Sequence, residues 1–208
     1  THLAFQLIRN LKMICNDVNR EMLNQLEDNL TQNGVDGFQT LLGRIETLDL
    51  EKESLDAVFT FNAVHHFDFP AFLRIISPAL REDGQIFIYT RTPDQNSESV
   101  WGKYFPRFNE KETRLFELPK MQKAIDESGV LSLVTTRDFS YPRCFSLERL
   151  MDQAHSRHYS TLSLYTEREF SEALQVFCEN IKRNFSDYDE ISWSDQNVML
   201  QIRKASIK

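Results

Sequence analysis

Two nearly continuous apolar runs, LDAVFTFN at 55–62 and QIFIYT at 85–90, flank PAFLRIISPAL at 70–80, whose apolar residues recur with helical spacing. Runs so rich in β-branched and aromatic residues read as strands buried on both faces. Two such strands joined through a helix cannot form a hairpin, so the connection is a crossover and the strands are parallel. The same alternation precedes them. LAFQLIRNL at 3–11 carries apolar residues at 3, 4, 7, 8 and 11, a helical stripe, and residues 12–15 read as a strand. Asn19 is the expected N-cap of a helix presenting Met22, Leu23, Leu26 and Leu30 and stopped by Gly34. FQTLLGRIETLDL at 38–50 supplies a short strand and a loop, and REDG at 81–84 a turn. The expected class is α/β, a Rossmann-like doubly wound, mostly parallel sheet.

The later chain changes character. Residues 91–117 mix turn residues, charges and aromatics and read as a cap insertion rather than another sheet layer. KMQKAIDESG predicts a helix ending at Gly129, and VLSLVTTRDF a strand. Ser146 and Thr166 open two further helices, the second through a capping box with Glu169, within a helical C-terminal lid region at 142–195. Residues 197–204 close as a strand. One domain over 1–208 accommodates all of this.

Charge and cysteine content narrow the partners. The 208 residues carry 24 Lys and Arg against 31 Asp and Glu, a net charge of −7, with no basic block to follow a phosphate backbone. Nucleic acid is therefore not expected. The longest apolar stretch, 55–64, is broken by Asp56 and Asn62 and falls short of the roughly 20 residues a bilayer requires, so no membrane span is expected. Cys15, Cys144 and Cys178 are odd in number and lack metal-ligand spacing. They read as reduced thiols of a cytoplasmic protein, with no metal site.

One carboxylate stands out. In LKMICNDVNREML, Asp17 falls where the first strand passes into a helix. At the carboxyl end of a strand in a doubly wound sheet it borders the crevice where ligands bind and can accept both hydroxyls of a ribose. Capping the next helix is its other possible duty, and Asn19 is better placed for that. A nicotinamide dinucleotide would use such a carboxylate equally well, so Asp17 alone does not choose the ligand.

ICNDVNREML, followed by LDAVFTFNAVHHF and LREDGQIFIYT, resembles the class I S-adenosylmethionine-dependent methyltransferases, in particular their small-molecule branch (methyltransferase type 11-like). The likeness covers residues 1 to about 90 and continues less specifically through VWGKYFPRF and STLSLYTEREF. It implies S-adenosyl-L-methionine as cofactor and a small-molecule methyl acceptor. It places Asp17 and Val18 at the ribose, Arg44, Ile45 and Glu46 at the adenine, and Asn62 and Ala63 along the methionine end. Arg44 stands where the family usually has Asp. The double His65–His66 is a packing feature in the family, although neutral histidine can also serve as a base. No catalytic residue is assigned, because in-line methyl displacement is promoted mainly by alignment. His66, Trp101, Tyr104 and Phe105 are the candidate acceptor contacts, the last three as a cap, with a mini-core anchoring the insertion as the alternative reading.

The glycines, at 34, 37, 43, 84, 102 and 129, form no GxGxG loop. In the resembled family that loop directly precedes a helix, and THLA at 1–4 is similar to its last residues and the helix start. The resemblance thus implies a fragment of a longer chain, with a strand and glycine-rich loop ahead of Thr1. Two alternatives stay open: a methyltransferase-like binding protein that has lost cofactor binding, and a nicotinamide-dependent oxidoreductase.

Overall fold

The computed structural model describes residues 1–205. Helix α1 (His2–Leu7) leads to strand β1 (Met13–Asp17), helix α2 (Arg20–Gln32) and strand β2 (Phe38–Leu42), with β1 and β2 parallel. Asn19 does cap α2, its Oδ1 accepting from the Glu21 amide at 2.9 Å, and Gly34 turns the chain away at φ +65°. Strand β3 (Leu55–Phe61), helix α3 (Phe69–Ala79) and strand β4 (Leu80–Thr90) form the expected parallel crossover.

Beyond β4, three short helices, α4 (Pro93–Ser97), α5 (Val100–Tyr104) and α6 (Phe108–Lys111), occupy the predicted insertion. Hydroxyl caps start two of them: Thr92 in a capping box with Gln95, and Ser99 accepting from the Gly102 amide. Helix α7 (Leu118–Glu127), strand β5 (Leu131–Phe145), helices α8 (Leu147–His155) and α9 (Glu167–Asn184), and strand β6 (Ile191–Lys204) complete the chain. Strand β6 pairs antiparallel with both β4 and β5, giving the order β3-β4-β6-β5.

Four details differ from expectation. First, β1 and β2 form their own sheet, and among the described residues no ladder joins β1 to β3. Second, among the described residues the four-stranded sheet is packed on one face only. Ile86, Ile88, Val198, Leu200 and Ile202 are buried against Phe69, Phe72 and Ile76 of α3 and Met121 and Ile125 of α7. On the other face Phe59 and Phe61 are 52% and 69% exposed, because α2 packs on β1 and β2 and α1 buries none of its residues. Third, residues 81–84 are a bulge within β4 rather than a separate turn, since Leu55 pairs with Leu80 but Ala57 with Gln85. A side chain at Gly84 would lie 3.0 Å from the carbonyl oxygens of Arg81 and Leu55, which explains the residue kept there. Fourth, the helical C-terminal region is narrower than 142–195. The β5–β6 arm continues in register from Tyr141↔Asp195 to Phe145↔Ile191, and Pro142 is tolerated because β5 is the outer strand.

The helices outside the sheet enclose a second core. Val100, Trp101, Phe105 and Phe108 meet Leu150, Leu162, Phe170, Phe177 and Ile181 there.

Candidate active site

The ends of β1 and β3 face the side of the fold where the parallel strands terminate. Asp17, half-buried, is the last residue of β1. Its Oδ1 accepts from the Asn19 amide at 2.8 Å, so one oxygen organises the turn into α2, and no hydrogen bond to Oδ2 occurs among the described residues. Asn16 clamps this strand end to the neighbouring loop, donating to the Leu41 and Gly43 carbonyls at 2.9 Å each. Val18 is 67% exposed beside Asp17.

The loop after β2 is tied elsewhere. Glu46 Oε1 accepts from the Asp68 amide at 2.8 Å, and Asp68 in turn caps α3 through the Ala71 amide. Burial alone would raise the Glu46 pKa, but the Asp68 amide and the Arg44 cation outweigh it and hold it low. Arg44 is largely exposed, its Nε 3.5 Å from Glu46 Oε2, and Ile45 packs against the sheet core. The carboxylate expected near adenine is therefore a fastener between two loops.

At the end of β3, Asn62 adopts φ +49° and donates its amide to Tyr89 O at 2.8 Å. Its Oδ1 accepts from the buried Asn197 Nδ2 at 3.2 Å, which also lies 3.2 Å from Thr90 O. Ala63 follows, half-buried, at the start of the short helical turn Val64–His66. The His65 and His66 rings sit 4.1 Å apart, and His65 Nδ1 is buried without a partner. Burial first, then His66 and Arg114, push the His65 pKa down to about 4 against the opposing pull of Glu112. Exposed His66 is also lowered, by burial and Arg114, with Glu112 and Asp17 opposing. Asp17, His66 and the Glu112–Arg114 pair thus lie within electrostatic reach of one another.

Glu112 and Arg114 escaped the sequence reading. Arg114 donates its amide and Nε to Glu112 Oε1 at 3.1 and 2.9 Å and pairs through Nη2 with Oε2, while the Thr161 hydroxyl donates to Oε2 at 2.6 Å. Asn197 escaped it too. Glu112 in NEKETR and Asn197 in SDQNV carry no local signal of burial, because the Thr161 and Asn62 side chains they meet lie 49 and 135 positions away.

The aromatic cap expectation is corrected. Trp101 and Phe105 are 1% and 2% exposed. Trp101 stacks on Phe177 at 5.1 Å and meets Phe105, Phe108 and Tyr159. Tyr104 packs edge-on against Phe185 and its carbonyl accepts from Asn180. Helices α8 and α9 provide enough apolar surface to enclose these rings, so they anchor the cap instead of lining an acceptor chamber.

Among the described residues no group of His, Cys, Asp and Glu is arranged to hold a metal ion, and no helix is long and apolar enough to cross a membrane. All three cysteines are free.

Residues 2–88 match a family model described as a methyltransferase domain. No curated protein matches the sequence significantly. Among solved structures, a Bacillus halodurans protein described as a methyltransferase is 17% identical, with 94% of this chain and 84% of that chain covered and a TM-score of 0.64. Geranyl diphosphate methyltransferase in complex with S-adenosylmethionine is 14% identical, covering 98% and 73%, with a TM-score of 0.58. The [4+2]-cyclase SpnF is 10% identical, covering 99% and 70%, with a TM-score of 0.60. At such identities the structural likeness concerns the fold: the chain has the fold of class I methyltransferases, and its residues 2–88 are similar to a methyltransferase domain.

Proposed function

We infer that the protein transfers a methyl group from S-adenosylmethionine to a small-molecule acceptor by direct in-line displacement. The observation that carries this reading is the domain match over residues 2–88, with Asp17 offering a free carboxylate oxygen at the end of β1 and Asn62 and Ala63 standing at the end of β3. The fit to the cofactor is good at the ribose and methionine ends and poor at adenine, where Glu46 is engaged by the Asp68 amide. Asp17 Oδ2 would accept from the ribose, and the backbone at Asn62 and Ala63 would border the methionine. When bound, the cofactor supplies an electrophilic methyl group on sulfonium. The chain's own contribution is alignment of the nucleophile and partial exclusion of water by the Glu112–Arg114 side of the crevice. The free thiols suit a cytoplasmic setting.

A second reading, a binding protein that keeps the fold without methyl transfer, is favoured by the committed Glu46 and by the cyclase of like fold. Isothermal titration with S-adenosylmethionine separates them. Methyl transfer requires binding, and Asp17→Ala should weaken it by about 1.5–3 kcal/mol with the melting temperature little changed. Absence of binding by the whole protein would favour the second reading.

A further inference from the structure

We propose that Asn197 of β6 is a positioning residue for the methionine end of the cofactor, acting by holding Asn62 in its left-handed conformation at the end of β3. The proposal rests on the cofactor reading above and extends the site to a residue 135 positions beyond Asn62. Side chains other than glycine seldom adopt positive φ, and asparagine does so with the least resistance, yet at a cost that the surroundings must offset. Asn62 sits at φ +49° where β3 gives way to the Val64–His66 turn. Two contacts hold it there. Its amide donates to Tyr89 O at 2.8 Å, carrying the β3–β4 pairing one residue further, and its Oδ1 accepts from Asn197 Nδ2 at 3.2 Å. The same Nδ2 lies 3.2 Å from Thr90 O. A carbonyl oxygen can only accept, so Thr90 fixes which end of the Asn197 amide faces the pair, and its two hydrogens serve one acceptor each. Asn197 is buried, which keeps water from substituting for either bond.

The clamp controls one peptide group. The Ala63 carbonyl is used within the turn, accepting from the His66 amide at 2.9 Å, whereas among the described residues no hydrogen bond reaches the Asn62 carbonyl. That oxygen is the acceptor left at this strand end for the ammonium group of the methionine portion. Because the peptide is planar, relaxation of Asn62 to negative φ would swing the Asn62–Ala63 peptide and its carbonyl together. Tying β6 to β4 is the simpler duty open to Asn197. The strands do not need it for that, since the β4–β6 ladder already runs from Gln85↔Arg203 to Thr90↔Val198 and β5 continues along β6 to Phe145↔Ile191. A buried amide donor at position 197 therefore adds nothing to register and acts on what Asn62 presents.

Isothermal titration with two probes tests this: S-adenosylhomocysteine, which keeps the amino-acid portion, and methylthioadenosine, which lacks it. Asn197→Ala should weaken S-adenosylhomocysteine about tenfold and leave methylthioadenosine within about twofold. Asn197→Asp removes both donors at nearly constant volume and should reproduce that selective loss, so the outcome does not hinge on a cavity. Glycine reaches positive φ without a tether. In an Asn62→Gly background, Asn197→Ala should therefore cost less than about threefold, the coupling expected of residues that act through one another. Equal weakening of both probes, unchanged affinity for S-adenosylhomocysteine, or the same tenfold loss with and without Asn62→Gly would overturn the proposal and leave Asn197 a tie between strands. Failure of the unaltered protein to bind either probe would instead sink the cofactor reading, and the proposal with it.

Discussion

Residues 1–50 and the remainder of the chain differ sharply in packing. In the first segment only Leu23 and Leu30 are buried, and Leu3, Leu7, Met22 and Leu42 are exposed. From β3 onward the chain builds two dense cores, one beneath the sheet and one within the helical cap. Yet the first segment holds Asp17 and the whole of the loop assigned to adenine. Among the described residues the dense packing and the strand-end carboxylate Asp17 therefore lie in different segments. Binding regions drawn from the less stable part of a structure gain order from their ligand.

Mutations at matched buried positions sharpen that contrast. Trp101→Ala should cost about 3–5 kcal/mol, because it empties the centre of the cap core. Chemical denaturation measures it, and a cost below about 1 kcal/mol would mean that the cap is not a cooperative part of the fold. Leu30→Ala, equally buried but in the sparse segment, should cost only about 2 kcal/mol, since its surroundings can collapse around the smaller side chain. A loss as large as that of Trp101→Ala would break the comparison.

A pH effect arises in the second region. In the unfolded chain His65 takes up a proton near 6.5, whereas in the folded chain burial lowers its pKa to about 4. Between these values the unfolded chain binds more protons, so stability should fall as pH drops from about 6.5 to about 4. His65→Asn should flatten this part of the stability–pH curve. An unchanged slope would show that other groups cause it.

The elements that pack through local periodicity were legible in the sequence: the β3–α3–β4 crossover, the Asn19 cap and the Thr166–Glu169 capping box all appear where the residues indicate. Strands β5 and β6 were read too short because their added pairing, from Tyr141↔Asp195 to Phe145↔Ile191, runs through Pro142, Arg143 and polar Ser192 and Ser194. Those residues gain a strand conformation only from each other. The strand-end positions of Asp17, Asn62 and Ala63 were legible because they follow from where the apolar runs stop. The hydrogen bond that engages Glu46 was not legible because its amide partner belongs to the start of α3, nor was the burial of Trp101 and Phe105, because the helices that bury them lie about 70 residues downstream. In each case the deciding contact was nonlocal.

Hydrogen exchange across the chain, with and without S-adenosylmethionine, tests the central claim most directly. Amides of β1, α2 and β2 should exchange faster than those of β4 and β6 in the free protein. At about a hundredfold excess over Kd the ligand should add up to about 2.7 kcal/mol of protection, concentrated at β1, the 43–47 loop and the Asn62–His66 turn. Protection in β1 and α2 already equal to that of β4, and unmoved by the ligand, would contradict the account.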